Sequence, residues 1–402
     1  MVMLLTAMAA VAENRIYSPQ VKSLQAVVNQ DWLSPTIMRL YHDDVLHVSF
    51  DELSHDYHRY VCHLEHCEAD WTVSEDLFES DWLEGFNNIV IDDFERSINT
   101  TVSYTHYQLM IPNAQCRVKM SGNYRLSIID EDEDEVILTV EFLVTEQTMT
   151  LSTAISTNTD IDTNKCHQQV TFGLKYGSLS VTDPQEQIQT VVMQNGREDN
   201  WRRNTKPSAV SQNGLEWKHC RNLIFDGGNE YRKFEVLDPS HPTMGIDRIM
   251  WDGEYFQAYP FLCEPRPNYL YDEDANGSFY IRNSDNREND ITSDYVWVNY
   301  RLKSPYPPKG TIVIDGRWTT EDPATYVMDY DAAKQLYTAK ILQKQGYYSY
   351  QYLLITDDGT SHPLPSEGNY FETENRYQIL IYYKGTGERT WRLVAYSQLD
   401  IH

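Results

Sequence analysis

Beyond its first few residues, the chain has no stretch approaching the roughly 18–20 consecutive apolar residues of a helical membrane span. A membrane-crossing helix is therefore not expected. Basic residues are scarce: 33 Lys and Arg stand against 60 Asp and Glu, a net charge of −27. Such a surface repels phosphate backbones, so nucleic acid is excluded as a partner. Long apolar helical periods are nearly absent. So are the signatures of common chemistries: there is no G-x-S-x-G elbow, no phosphate-binding glycine loop and no H-E-x-x-H. Acidic pairs abound, but the separation of two carboxylates decides glycosidase chemistry, and sequence does not supply it. No catalytic residue is assigned, no cofactor, and no fixed short repeat or low-complexity tract is seen.

What the chain has instead is strand-forming side chains. Twenty-nine Tyr, an aromatic content of 12% and a hydrophobic content of 41% exclude wholesale disorder. The stretch from Thr311 to Ile355 is the most telling. Thr311–Ile314 is a β-branched run closed by Asp315-Gly316. Tyr326, Met328 and Tyr330 alternate, as do Tyr337, Ala339 and Ile341, then Tyr348, Tyr350 and Tyr352. A period of two marks strands. The stretch resembles early-set β-sandwich modules, a group that includes glycogen- and starch-binding domains. Gly122–Ile129 and Val136–Val144 predict a hairpin around the acidic tip 130–135, Gln378–Tyr383 and Thr390–Gln398 a second one around Gly385-Thr386-Gly387. The expected fold is all-β, about three serial β-sandwich domains of immunoglobulin-like or early-set-like kind: 13–145, 146–293 and 294–402. The polar segment Asn283–Asp294 serves as the second linker.

At the N-terminus, Met1–Met8 is apolar and Ala10-Val11-Ala12 fits a small-x-small cleavage pattern, without a basic region before it. Residues 1–12 are read as a truncated signal-peptide remnant. Six Cys are scattered along the chain (Cys62, Cys67, Cys116, Cys166, Cys220, Cys263). An even count permits disulfides in an exported protein, and buried free thiols are the plainer reading. The cluster Cys62-His63-Leu64-Glu65-His66-Cys67 looks metal-like. On a strand, however, Cys62 and His66 share one face while His63 and Cys67 share the other. One zinc ion cannot gather all four, and no metal site is assigned.

Flat aromatic faces suggest two kinds of contact surface. Tyr255, Phe256, Tyr259, Tyr269 and Tyr271 are candidate partner contacts, with inter-domain packing as the alternative. Trp318, Tyr326 and Trp391 could form a sugar-stacking platform, with core packing as the alternative.

Several phrases in order point to one family. They are His66-Cys67-Glu68-Ala69-Asp70-Trp71, Gly85-Phe86, Ser97-Ile98-Asn99-Thr100, Tyr104-Thr105-His106-Tyr107, Ile111-Pro112-Asn113 and Ser121-Gly122-Asn123-Tyr124. Met250-Trp251-Asp252-Gly253, Asn276-Gly277-Ser278-Phe279-Tyr280 and Asp294-Tyr295-Val296-Trp297-Val298 follow. This order resembles the plug protein of the Bacteroidetes type IX secretion system. The resemblance implies an exported, periplasmic, outer-membrane-associated protein without catalytic residues. It would close the periplasmic mouth of the translocon barrel, as one copy within a larger complex. The alternative is a glycan-binding periplasmic or cell-surface protein using the C-terminal module. An enzyme with a β-sandwich accessory domain is a third reading, and no span of usual catalytic-domain size is left for it.

Overall fold

The computed structural model describes residues 14–401. The proposed signal remnant at 1–12 lies outside them. Helices among the described residues are single turns, such as Glu79–Trp82 and Pro184–Gln187, and none is long and apolar enough to cross a membrane. Nearly all the other regular structure is antiparallel sheet with a few parallel pairings, so the fold is all-β, built of sandwiches.

The first unit packs two sheets. One runs in the order Arg15–Ile16, Glu135–Thr145, Gly122–Asp130, Tyr60–Cys67, Ile89–Val90, and the other Val21–Val28, Leu46–Glu52, Thr105–Ile111, Asp93–Arg96. Alternation drives it: Tyr60, Cys62, Leu64 and His66 turn inward while Val61, His63 and Glu65 are half-exposed. Phe50 stacks on Tyr107 at 5.3 Å in the middle of the core. The acidic run 131–135 is an exposed hairpin tip, as its charge requires.

The second unit is not one continuous segment. Its first sheet contains Thr150–Ser156, His167–Lys175, Gly214–Trp217 and Ala209–Ser211. Its second sheet pairs Ile188–Gln194 with Arg376–Tyr383, which pairs in turn with Arg392–Asp400. The C-terminal hairpin therefore closes the second sandwich, and Phe172, Trp217, Tyr377, Ile379 and Val394 share its core.

Between these halves sits the third sandwich, residues 231–368. Gly346–Ile355 is central to one of its sheets, beside Arg232–Val236, Phe279–Ile281, Thr311–Asp315 and Ser361–Pro363. The other sheet runs Ile246–Trp251, Phe256–Pro260, Tyr295–Lys303, Leu336–Lys344, Asp329–Asp331. Tyr348, Tyr350 and Tyr352 point into its core with Phe234 and Tyr300. The expected boundary at 293/294 does not follow this pairing. Asn283–Asp294 is polar because it is a surface loop docked on the first unit, where Ile98 donates its N–H to the Ile291 carbonyl at 2.8 Å. Strands on both sides of that loop belong to one core.

The two connections to the inserted sandwich run against each other. Tyr370 donates its N–H to the Gly228 carbonyl at 2.8 Å, and Asn375 Nδ2 donates to the Gly227 carbonyl at 2.7 Å. A Cβ on Gly227 would lie 2.0 Å from the Tyr370 carbonyl oxygen, so only glycine permits this approach.

Candidate interaction surface and inter-unit junctions

The three sandwiches are joined by buried contacts. Between the first and second units, Cys67, Ala69, Trp71, Leu143, Val191, Met193, Leu380, Tyr382 and Leu393 form an apolar cluster. Tyr382 donates its hydroxyl to Asn123 Oδ1 at 2.8 Å, and Thr390 Oγ1 donates to Glu68 Oε1 at 2.8 Å. Both partners in the first unit lie in phrases singled out from the sequence. These two hydrogen bonds cross the seam beside its apolar cluster.

Between the first unit and the inserted one, the junction is ionic. Lys344, Tyr295 and His106 converge on Asp51, and Asp294 accepts from the Thr101 N–H and hydroxyl at 2.8 and 2.7 Å. Burial pushes the Asp51 carboxyl up, but Lys344 and His106 outweigh it and hold it below its ordinary range.

Where all three units meet lies a cavity of about 740 Å³ lined by Trp32, Trp71, Trp201, Arg197, Arg317 and Tyr382, among others. Arg197 is held by Asp199 at 3.0 Å and reaches Asp315 at 4.0 Å. Arg317 donates to the Ser34 carbonyl at 3.2 Å, and burial together with neighbouring Arg376 pushes its guanidinium down to about 10.

Outward-facing aromatic and aliphatic residues gather on the edge hairpin of the inserted sandwich and the segment after it. Ile246–Trp251 is an edge strand, and Met250, Trp251, Phe261, Leu262, Leu270 and Tyr271 are exposed. Trp251 and Phe256 rings lie 4.8 Å apart, and Arg248 covers Tyr259 at 4.2 Å. Of the residues chosen from sequence, Tyr271 is exposed, while Tyr255, Phe256 and Tyr259 are half-buried on the hairpin. Tyr269 does a different job. Its hydroxyl donates to Glu230 Oε1 at 2.6 Å and reaches the Glu372 carbonyl at 3.1 Å, tying a loop to the connections between units. Trp251 was missed as a candidate although it stands in the Met250-Trp251-Asp252-Gly253 phrase. Its exposure on a strand could be inferred only from edge position, which is tertiary information.

The sugar-stacking platform does not form. Trp318 and Tyr326 are buried in the inserted sandwich, their rings 5.8 Å apart and Trp318 Nε1 donating to the Ser349 carbonyl at 3.0 Å. Trp391 belongs to the second unit and packs half-buried against the seam with the first. Burial of large rings outweighs their use on the surface here. In the Cys62–Cys67 strand, alternation separates the metal-like side chains as expected. His66 is fixed by Ser74 Oγ at 2.9 Å and the Ser121 carbonyl at 3.3 Å, and His63 turns to Asn88 Oδ1 at 2.7 Å.

Three docked β-sandwiches, one inserted in another, joined by apolar and ionic junctions and carrying an aromatic edge, make this a multi-domain all-β protein. The family model for the first domain of the type 9 secretion system plug protein matches residues 21–146. The crystal structure of a hypothetical protein from Parabacteroides merdae superposes with a TM-score of 0.94 at 34% identity, covering 98% of this chain and all of that one. The chain belongs to the type IX secretion system plug protein family. A crystal structure of dimeric latent PorU from Porphyromonas gingivalis aligns at 8% identity over 95% of this chain and 34% of that one. Its TM-score of 0.13 carries no structural argument. No curated protein matches.

Proposed function

We propose that this chain is a non-enzymatic accessory protein that closes the periplasmic side of the type IX outer-membrane translocon when no substrate occupies it. The observation that carries this reading is the match of the plug first-domain model to residues 21–146, a span that holds the first sandwich apart from its short edge strand Arg15–Ile16. Physical features support it. A stopper must resist deformation, and the buried ionic and apolar junctions bind the three sandwiches to one another. A stopper must also grip its partner reversibly, and exposed aromatic residues on a strand edge suit such contacts. The protein acts on the periplasmic side, attached to the outer membrane through the translocon, as one copy in the complex. Burial of Trp318 and Tyr326 removes the support for glycan binding.

The test is purification of the translocon from the native host in mild detergent. The chain is expected to co-purify, and its deletion to make the outer membrane leaky to small periplasmic solutes. An intact translocon that never carries the chain overturns the proposal.

A further inference from the structure

Away from these junctions, one cluster has the composition of a metal centre and two of its three ligand spacings. Asp162 Oδ2, Cys166 Sγ and His167 Nδ1 face one another. The sulfur lies 3.4 Å from the carboxylate oxygen and 3.3 Å from the imidazole nitrogen, and that nitrogen lies 2.6 Å from the oxygen. Zinc bonds of about 2.0–2.3 Å in a tetrahedron put neighbouring ligand atoms about 3.3–3.6 Å apart. The two distances to sulfur are already close to that range. The third must open by roughly 0.7 Å, which occurs when the proton between His167 and Asp162 gives way to a metal ion. All three groups are half-buried, so an ion can reach them from solvent.

The surroundings suit ligation as well. A metal-bound imidazole normally offers its other N–H to a carboxylate, and Asp226 Oδ1 stands 3.5 Å from His167 Nε2. Asp226 is itself held by Asn369 Nδ2 at 2.7 Å. Thr159 donates its hydroxyl to Asp162 Oδ1 at 3.1 Å, occupying the carboxylate oxygen that the trio leaves over. The Cys166 carbonyl accepts the Gly227 N–H at 2.8 Å, which fixes the backbone beneath the thiol.

We propose that Asp162, Cys166 and His167 bind one zinc-class divalent cation, with Asp226 as the positioning partner of His167 and water at the fourth position. The mixed sulfur, nitrogen and oxygen set favours Zn²⁺ over Ca²⁺ or Mg²⁺, which take oxygen ligands. Binding releases the Cys166 thiol proton and any proton on His167 Nδ1 to solvent. The place in the fold gives the ion a purpose. Asp226 ends the strand Ile224–Asp226 that leads into the outgoing connection to the inserted sandwich, and Asn369 lies on the returning one. A bound ion would tie both crossings to the loop at 157–167.

The test uses the full chain, stripped with EDTA and titrated with Co²⁺. One equivalent is expected to give tetrahedral ligand-field absorption and a thiolate-to-cobalt charge-transfer band, and Zn²⁺ to displace it. Cys166→Ser should abolish the charge-transfer band, Asp226→Asn should weaken binding about 10–100-fold, and Cys220→Ser should change nothing. Zn²⁺ should raise the melting temperature of the native chain but not of Cys166→Ser. Should Cys166→Ser fail to fold, alkylation of the unaltered chain decides: Zn²⁺ is expected to protect Cys166 and leave Cys220 reactive. Less than a tenth of an equivalent of Co²⁺, a charge-transfer band that survives in folded Cys166→Ser, or equal labelling of Cys166 with and without Zn²⁺ overturns the site.

Discussion

Lys344 of the inserted sandwich places its ammonium 2.6 Å from Asp51 Oδ2 of the first sandwich, and the two side chains are only 2% and 1% exposed. The pair is not alone. Asp51 accepts from the Tyr295 hydroxyl at 2.6 Å and faces His106 Nδ1 at 2.7 Å. Lys344 also donates to the Asp290 carbonyl at 2.5 Å and lies 4.1 Å over the Tyr104 ring. Two charges removed from water need such a shell to hold their desolvation cost down. The arrangement spans two units and lies buried in the junction between them.

Removing one partner should therefore cost far more than removing both. Lys344→Met leaves Asp51 charged and buried, and a loss of about 3–5 kcal/mol is expected. Asp51→Leu combined with Lys344→Met should lose less than Lys344→Met alone. Urea unfolding midpoints of the full chain check this, with limited proteolysis at the 283–294 loop as a local readout. Equal costs for the single and double variants would show that the ionic contact plays no part in the docking.

Trp318 tests the discarded sugar-binding reading. Its ring packs against Tyr326, Tyr348 and Tyr300 within 5.5 to 6.3 Å and its indole N–H is satisfied by Ser349. Trp318→Ala is expected to destabilise the chain by about 3–5 kcal/mol through the cavity it leaves. Mobility in α-glucan gels should be unretarded before and after the change. A variant of native stability, or retardation that the substitution removes, contradicts the buried placement.

Much of this fold is legible locally. The alternation at 60–67 and at 348–352, the acid-tipped hairpin and the C-terminal hairpin all follow from side-chain periods and turn residues, which act over a few positions. The insertion is not legible. Ile188–Gln194 pairs with Tyr377–Tyr383 across almost two hundred residues, and nothing in either strand names its partner. Tyr326 illustrates a smaller miss: it ends a 3-10 turn begun by Pro323, so its alternation with Met328 and Tyr330 does not mark a continuous strand. At the functional level, exposure decides the role of an aromatic. Tyr269 and Tyr271 look alike in sequence, yet one is hydrogen-bonded into the connections and the other is open to solvent.

Thiol reactivity should divide the six cysteines. All six are free, and Cys62, Cys67, Cys116 and Cys263 are buried while Cys166 and Cys220 are half-exposed. Burial pushes the Cys67 and Cys116 thiols up to about 12, which leaves almost no thiolate at neutral pH. Metal-free native protein is expected to label at Cys166 and Cys220 first, and urea to release the other four. Mass spectrometry of alkylated peptides reads the order. Rapid native labelling of Cys67 would contradict its packing against the seam between the first two units.

Asp274 gives the chain a pH dependence opposite in sign to that of its paired carboxylates. Burial pushes its carboxyl up to about 7, nearby Glu230 adds to the effect, and the amide hydrogen bonds from Asn276 and Tyr231 offset only part. In the unfolded chain the group titrates near its ordinary value of about 3.9. Below about pH 4 both states hold the proton, and the contribution to stability is complete. Between about 4 and 7 the unfolded chain releases the proton while the folded chain keeps it, so this contribution falls as pH rises. The slope is at most about 1.4 kcal/mol per pH unit. Above about 7 both states are ionised and the loss is complete. Asp274→Asn cannot titrate, so its stability relative to the native chain should climb between pH 5 and 7 and then level off. Other carboxylates, such as Asp51, lose stability toward low pH and cancel in that difference. Urea midpoints of both proteins from pH 5 to 8 measure it, and two parallel curves would mean that Asp274 is ionised throughout in the folded chain.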